Sequence, residues 1–187
     1  MKKIICVTLC TMMIAVAFTA ISGVVKSGDA IPPSVTADPS LMAEWKLDEG
    51  TGTLAEDTRW TYNGTLVNGP VWQSDGINGT ALEFDGMDDY VDCGTGNPVT
   101  TSMTLSAWFK IQSIPNSSGW YGSKIVTKGN DAAANAYSLQ VATPSMGDSD
   151  LSHANVAMHV TNNGNTPFWI ETPQGLLNDG RWHHAAG

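Results

Sequence analysis

The sequence predicts an all-β protein, an antiparallel jelly-roll β-sandwich that follows a short N-terminal leader and linker. Many short segments alternate apolar with polar residues and are separated by Gly, Asn and Asp, which is typical of strands joined by tight turns. Beyond the leader, no window repeats its apolar residues at the spacing of an amphipathic helix, about 3.6 residues. Both observations favour a sheet protein with one face of each sheet on a core.

The N-terminal 40 residues are predicted to lie outside the folded module. Residues 1–23 have the pattern of a signal peptide: Lys2 and Lys3 precede an apolar run at 4–20, and small residues follow it. A retained anchor helix is the alternative, because the run approaches the roughly 18 residues that span a membrane. Residues 24–40, which contain three prolines, are predicted to be a flexible linker. The protein is therefore expected to be secreted or held at the cell surface.

The folded module is expected to occupy residues 41–187. Strands are predicted at 41–47, 65–67, 71–73, 81–84, 90–92, 103–111, 124–128, 137–141, 156–160, 168–171 and 181–186. The clearest is 103–111, whose apolar face consists of Met103, Leu105, Ala107, Phe109 and Ile111. In 41–47 the same alternation places Leu41, Ala43, Trp45 and Leu47 on one face.

Charge and cysteine content exclude several classes of protein. Eighteen Asp and Glu against nine Lys and Arg give a net charge of −9, which is unsuited to a nucleic-acid surface. An acidic, loop-rich surface suits cation binding or solubility. Outside the predicted leader Cys93 is the only cysteine, so the mature chain cannot close an internal disulfide.

Several motifs carry a family resemblance. They are Trp45-x-Leu47-Asp48-Glu49-Gly50, Phe84-Asp85-Gly86-x-Asp88-Asp89-Tyr90-Val91, the strand at 103–110, and Asp179-Gly180-Arg181-Trp182-His183-His184. In this order and spacing they resemble the laminin-G-like family of concanavalin A-like jelly rolls. The resemblance implies further strands after the last motif, so we expect a sequence truncated at its C-terminus. It specifies function poorly, because the fold hosts binding modules, adhesins and enzymes.

Asp57, Asn63 and Glu49 are the candidate metal ligands. Calcium takes carboxylate, amide and carbonyl oxygens that a tight loop brings together. The resemblance implies a calcium ion at a rim of the sandwich, and these residues fall in one loop-rich stretch. The alternative is that Asp57 and Asn63 form turns by hydrogen-bonding to nearby backbone.

Trp60, Trp120 and Tyr121 are the candidate ligand-binding residues. Each falls in a predicted loop, where a flat aromatic ring can stack on the apolar face of a sugar. The alternative is that these rings cover the end of the sandwich.

An acidic pattern at Glu83, Asp85 and Asp88 imitates the paired carboxylates of a jelly-roll glucanase. Gly86 interrupts the strand that such a pair needs, and the same letters fit a hairpin turn. We therefore predict no catalytic residues and no enzymatic activity.

Together these features predict an exported, non-catalytic module for carbohydrate binding or adhesion, supported by calcium and belonging to a larger surface or secreted protein. The expected partner is a polysaccharide, a cell-surface glycan or a protein, and neither nucleic acid nor, after leader cleavage, a membrane. An accessory domain of a secreted glycoside hydrolase or sialidase is the alternative. A purely structural adhesion domain is a third interpretation.

Overall fold

The computed structural model describes residues 7–8, 39–95, 102–111, 123–129, 136–142, 154–161, 167–175, 177 and 179–187. Their regular structure consists of β-strands alone, which confirms the all-β prediction. Within these ranges, no helix has the length and apolar character needed to span a bilayer.

The strands form three antiparallel sheets. They are β1 Val7–Thr8, β2 Leu54–Ala55, β3 Gly64–Val67, β4 Val71–Gln73, β5 Ala81–Glu83, β6 Tyr90–Asp92, β7 Ser106–Phe109, β8 Ser123–Lys128, β9 Tyr137–Ala142, β10 Asn155–Thr161, β11 Pro167–Glu171 and β12 His183–Ala186. The strand orders are β12-β7-β1-β5-β4, β11-β10-β9-β8 and β2-β3-β6. Ten of these strands were predicted from the sequence within a few residues of their ends. The two-residue strands β1 and β2 were not predicted.

The main core lies between the five-stranded and four-stranded sheets. Its fully or nearly fully buried members come from β7, β8, β9 and β12 and the residues beside them: Ala107, Phe109, Ile111, Ile125, Leu139, Val141, Ala154 and Ala185. Alternation along β7 sends Ala107 and Phe109 inward and leaves Trp108 half-buried on the outer face. This is the half-buried pattern that the sequence predicts for 103–111.

A smaller core lies beneath the three-stranded sheet. Leu47, Ala55 and Leu82 are its buried members, and Trp45 packs against them. Gly64 of β3 touches this layer so closely that an added Cβ would lie 2.3 Å from a methyl group of Val91. The position therefore accepts a larger residue only if the Val91 side chain shifts.

The prediction of a strand at 41–47 is wrong. The segment makes one isolated bridge, Trp45 to Asp57, and its most buried residues are Glu44 and Leu47 rather than one alternating face. Leu47 has a φ of 56°, which a continuing strand cannot adopt. The backbone of Glu44 instead bonds to the loop that begins at Asp57.

The acidic turn at 85–89 is not the tip of a hairpin. The strand before it, β5, pairs with β4, whereas the strand after it, β6, pairs with β3 in a different sheet. The turn therefore passes the chain from one sheet to the other. Glu83 ends β5 while Asp85 and Asp88 lie in the turn, so these three carboxylates do not line one strand.

Two residues of the predicted leader, Val7 and Thr8, form β1 between β5 and β7. The rest of residues 1–38 lies outside the described ranges. The signal peptide and linker stay predictions.

Candidate functional site

The connection from β2 to β3 is the most elaborately bonded loop of the described chain. Leu54 pairs with Thr65 and Ala55 with Gly64, so the two strands form a short antiparallel ladder. Residues 57–63 close it, and we call them the Asp57 loop. Four of the hydrogen bonds that shape this loop go to one side chain.

The Asp57 carboxylate is fully buried and accepts four backbone hydrogen bonds. Oδ1 accepts from the N–H of Glu44 at 2.9 Å and of Arg59 at 3.1 Å. Oδ2 accepts from the N–H of Thr61 at 3.1 Å and of Tyr62 at 3.0 Å. Burial alone would raise the pKa of this carboxyl, but the four donors outweigh it and hold the pKa below its ordinary value. The carboxylate thus fixes both ends of the loop.

Further contacts attach the loop to the rest of the sandwich. Asn63 Oδ1 accepts from the N–H of Asp57 at 2.9 Å, and Glu49 Oε1 accepts from the N–H of Glu56 at 2.6 Å. The Trp45 indole N–H donates to the carbonyl of Tyr62 at 2.8 Å. The Asn63 bond thus closes the loop on itself, and the Trp45 bond attaches the end of the loop to the smaller core.

At the tip of this loop, Trp60 is displayed to solvent. The residue is 69% exposed, and its backbone N–H donates to the carbonyl of Asp57 at 2.7 Å. Its φ of 58° is in the left-handed region, which a bulky residue occupies at a cost of about 1–2 kcal/mol. The fold thus holds an aromatic ring away from the core in a strained conformation.

The structure brings the three predicted metal ligands, Asp57, Asn63 and Glu49, into this one loop region, but their contacts differ. Asp57 does not fit a calcium ligand, because each of its oxygens already faces two N–H donors, whose positive ends point where a cation would sit. Its contacts are those of the turn-forming alternative. Glu49 fits better, since its Oε2 is buried and has no hydrogen-bond partner among the described residues. Calcium binding itself stays a prediction.

The other predicted ligand-binding residues, Trp120 and Tyr121, lie outside the described residues. Of the three, Trp60 alone lies within the described residues.

The described residues contain one group of three carboxylates that lie close enough together to share a cation. The sequence predicts that these three residues belong to a turn. Oxygens of Asp85, Asp88 and Asp89 lie within 4.8 Å of one another. Asp89 Oδ2 accepts from the N–H of Asp85 at 3.0 Å, and Asp85 Oδ1 accepts from the N–H of Met87 at 2.7 Å. Two of the three carboxylates, those of Asp85 and Asp89, therefore stabilise the turn by accepting hydrogen bonds from its backbone.

Sequence reasoning missed a buried polar row on the four-stranded sheet, on the face away from the core. Ser138 and Gln140 of β9 are fully buried there, and the Lys124 ammonium donates to both side chains. Gln140 Nε2 and Asn155 Oδ1 find no hydrogen-bond partner among the described residues. The available signal was the alternation of polar Ser138 and Gln140 with apolar neighbours in the predicted strand 137–141.

Comparison with known families agrees with this architecture. A laminin G family model, described as the concanavalin A-like lectin/glucanase superfamily, matches residues 85–187, more than half of the chain. The chain belongs to this laminin G-like family. Membership supports a module of carbohydrate-binding or adhesion type, in a superfamily that also contains glucanases.

The matched residues begin after the Asp57 loop, so the loop is a feature of this chain beyond the family match. Neither the comparison with curated proteins nor that with solved structures gave a match.

Acid is expected to destabilise this laminin G-like chain partly through Asp57. Its folded pKa lies below the unfolded value of 3.8, so its contribution to stability is complete above about pH 4 and is lost as the pH falls through the folded pKa. The measurement is the melting temperature of wild type and Asp57→Asn as a function of pH. The difference between them should shrink below about pH 4. A difference that stays constant down to the acid-unfolded state would contradict the assignment.

Proposed function

We propose that this chain is an exported, non-catalytic module that binds a polysaccharide or cell-surface glycan through Trp60. The observation that carries the proposal is an aromatic residue, 69% exposed and with a backbone φ of 58°, on a loop fixed by a buried carboxylate. Backbone strain concentrates at functional positions, and a rigid aromatic platform loses little entropy when a sugar stacks on it. Membership in a superfamily that contains lectins favours a glycan over other ligands. The leader pattern supports export.

Replacing Trp60 with Ala is expected to weaken glycan binding about tenfold or more, which corresponds to about 1.4 kcal/mol. The reason is the loss of the stacking surface, since the loop is held by Asp57 and not by the ring. Affinity electrophoresis through gels containing neutral and acidic polysaccharides measures the effect.

Met87→Ala is the matched control, because Met87 is 67% exposed but lies in the turn at 85–89. Its affinity should equal that of wild type. Equal retardation of wild type and Trp60→Ala, or no retardation of wild type by any polysaccharide, removes the proposal.

Calcium support of the loop is a second part of the proposal. Glu49 Oε2 is the atom that supports it, since burial without a partner leaves its lone pairs available. We expect millimolar calcium to raise the melting temperature of chelator-treated protein by preferential binding to the folded state. Glu49→Gln should lose this rise, whereas Asp88→Asn should keep it. An unchanged melting temperature in wild type would eliminate calcium from the proposal.

A further inference from the structure

The exposed residues of the Asp57 loop, all of which the structure describes, carry no charge. They are Thr58, Trp60, Thr61 and Asn63. The two charged residues of the loop are turned inward. Asp57 is fully buried, and Arg59 is half-buried with its Nε donating to the carbonyl of Leu41 at 3.1 Å. A ligand that stacks on the ring at the tip therefore meets hydroxyl and amide groups of this loop rather than ions.

Hydrogen bonds within the loop determine what these polar groups can offer a ligand. Thr61 Oγ1 donates to the carbonyl of Arg59 at 3.2 Å. Because a hydroxyl has one proton, Thr61 uses it within the protein and presents only lone pairs to a ligand. Asn63 is the opposite case: its Oδ1 accepts from the N–H of Asp57 at 2.9 Å, and its NH₂ group is left to donate. The loop thus offers an acceptor next to Trp60 and a donor at its end.

The charges beneath the loop disfavour an anionic ligand. The pKa of Asp57 lies below its ordinary value, so this carboxyl group is ionised at neutral pH, and Glu44 Oε2 accepts from the Thr58 hydroxyl at 2.9 Å. The whole chain carries a net charge of −9. Sulfate and carboxylate groups bind to cations and supply only acceptors, which the lone pairs of Thr61 would repel. An uncharged sugar hydroxyl can donate to Thr61 and accept from Asn63.

We propose that the ligand of this loop is a neutral glycan, whose ring stacks on Trp60 while one hydroxyl donates to Thr61 Oγ1 and another oxygen accepts from Asn63 Nδ2. This inference rests on the proposed function, and it adds the charge of the ligand and two residues that select its hydroxyls. A neutral sugar suits such a site, because its ring is apolar on one face and its hydroxyls both donate and accept.

The test compares polysaccharides that share a backbone and differ in charge. Hydroxyethyl cellulose and carboxymethyl cellulose form one such pair, and dextran and dextran sulfate form another. In affinity electrophoresis of the full chain, at least one neutral polysaccharide should retard the protein. The affinity for its anionic derivative should be about tenfold lower or less at low salt. The affinity for the neutral polysaccharide should be the same at low and high salt, because no ion pair is formed.

Thr61→Val tests the hydroxyl, because valine keeps the branched shape of the side chain and removes the acceptor. It should weaken binding of the neutral polysaccharide about fivefold, while the ring of Trp60 stays in place. Thr65→Val is the matched control, since Thr65 is exposed on β3 outside the loop. Its affinity should equal that of wild type, and circular dichroism should show that both variants are folded.

The outcomes separate this inference from the proposed function. If the wild type binds an anionic derivative as tightly as its neutral parent, or more tightly, the ligand is not selected for neutrality and the inference is wrong. Loss of that binding in Trp60→Ala would then show that the proposed function still holds. Equal affinities of wild type and Thr61→Val would overturn the role of Thr61. If no polysaccharide retards the wild type, the proposed function fails and this inference fails with it.

Discussion

Replacement of Asp57 by Asn is expected to lower the free energy of unfolding by about 3 kcal/mol. The Asn carbonyl can still accept the two N–H groups at one oxygen position. Its amide NH₂ then faces the two remaining N–H groups, so two partly buried donors lose their acceptor. Urea denaturation measures the effect as a lower midpoint at an unchanged slope.

Asp92→Asn is the control for this change. Asp92 is exposed and accepts one hydrogen bond, from the N–H of Gly94 at 2.8 Å, so its replacement should cost less than about 1 kcal/mol. Equal midpoints for the two variants would show that the Asp57 loop is not held in the way described.

Phe109→Ala is expected to cost about 4 kcal/mol, the largest effect of a single substitution that we predict. Phe109 is fully buried at the centre of the main core, and the neighbouring strands cannot close the cavity that its ring would leave. The measurement is again the urea midpoint, with Trp108→Ala for comparison.

Trp108 has the larger side chain but lies half-buried on the outer face of the same strand. Its replacement should therefore cost clearly less than that of Phe109. If Trp108→Ala were the more destabilising, the inward and outward faces of β7 would be reversed.

The strands of this fold were predictable wherever apolar alternation and tertiary burial agree. Along β7, Ala107 and Phe109 are buried as the pattern predicts, and the predicted strands at 156–160 and 168–171 pair with each other. The segment at 41–47 has the same alternation but no strand partner beyond one bridge. Periodicity shows that the side chains alternate as they do in a strand. It does not show whether a neighbouring strand is present to form the backbone hydrogen bonds.

The candidate site was predictable only in its residue types. The sequence predicted a loop in which Asp57 and Asn63 could bind a cation and the Trp60 ring could stack on a sugar. The direction of the Asp57 oxygens toward four N–H groups, and the left-handed φ of Trp60, depend on the three-dimensional path of the loop. No spacing in the sequence encodes either.

In the Asp57 loop, the hydrogen bonds that hold the backbone do not depend on the side chains at the tip. This affects how the binding specificity of the module could change. The four groups that Asp57 holds are backbone N–H groups, which every residue except proline supplies. Side chains at positions 59, 61 and 62 can therefore vary while the loop keeps its shape, much as the hypervariable loops of antibodies vary on a constant framework. Related chains that bind different ligands should accordingly keep Asp57 and differ at the tip. The same property makes this loop a place to select new specificities in a library.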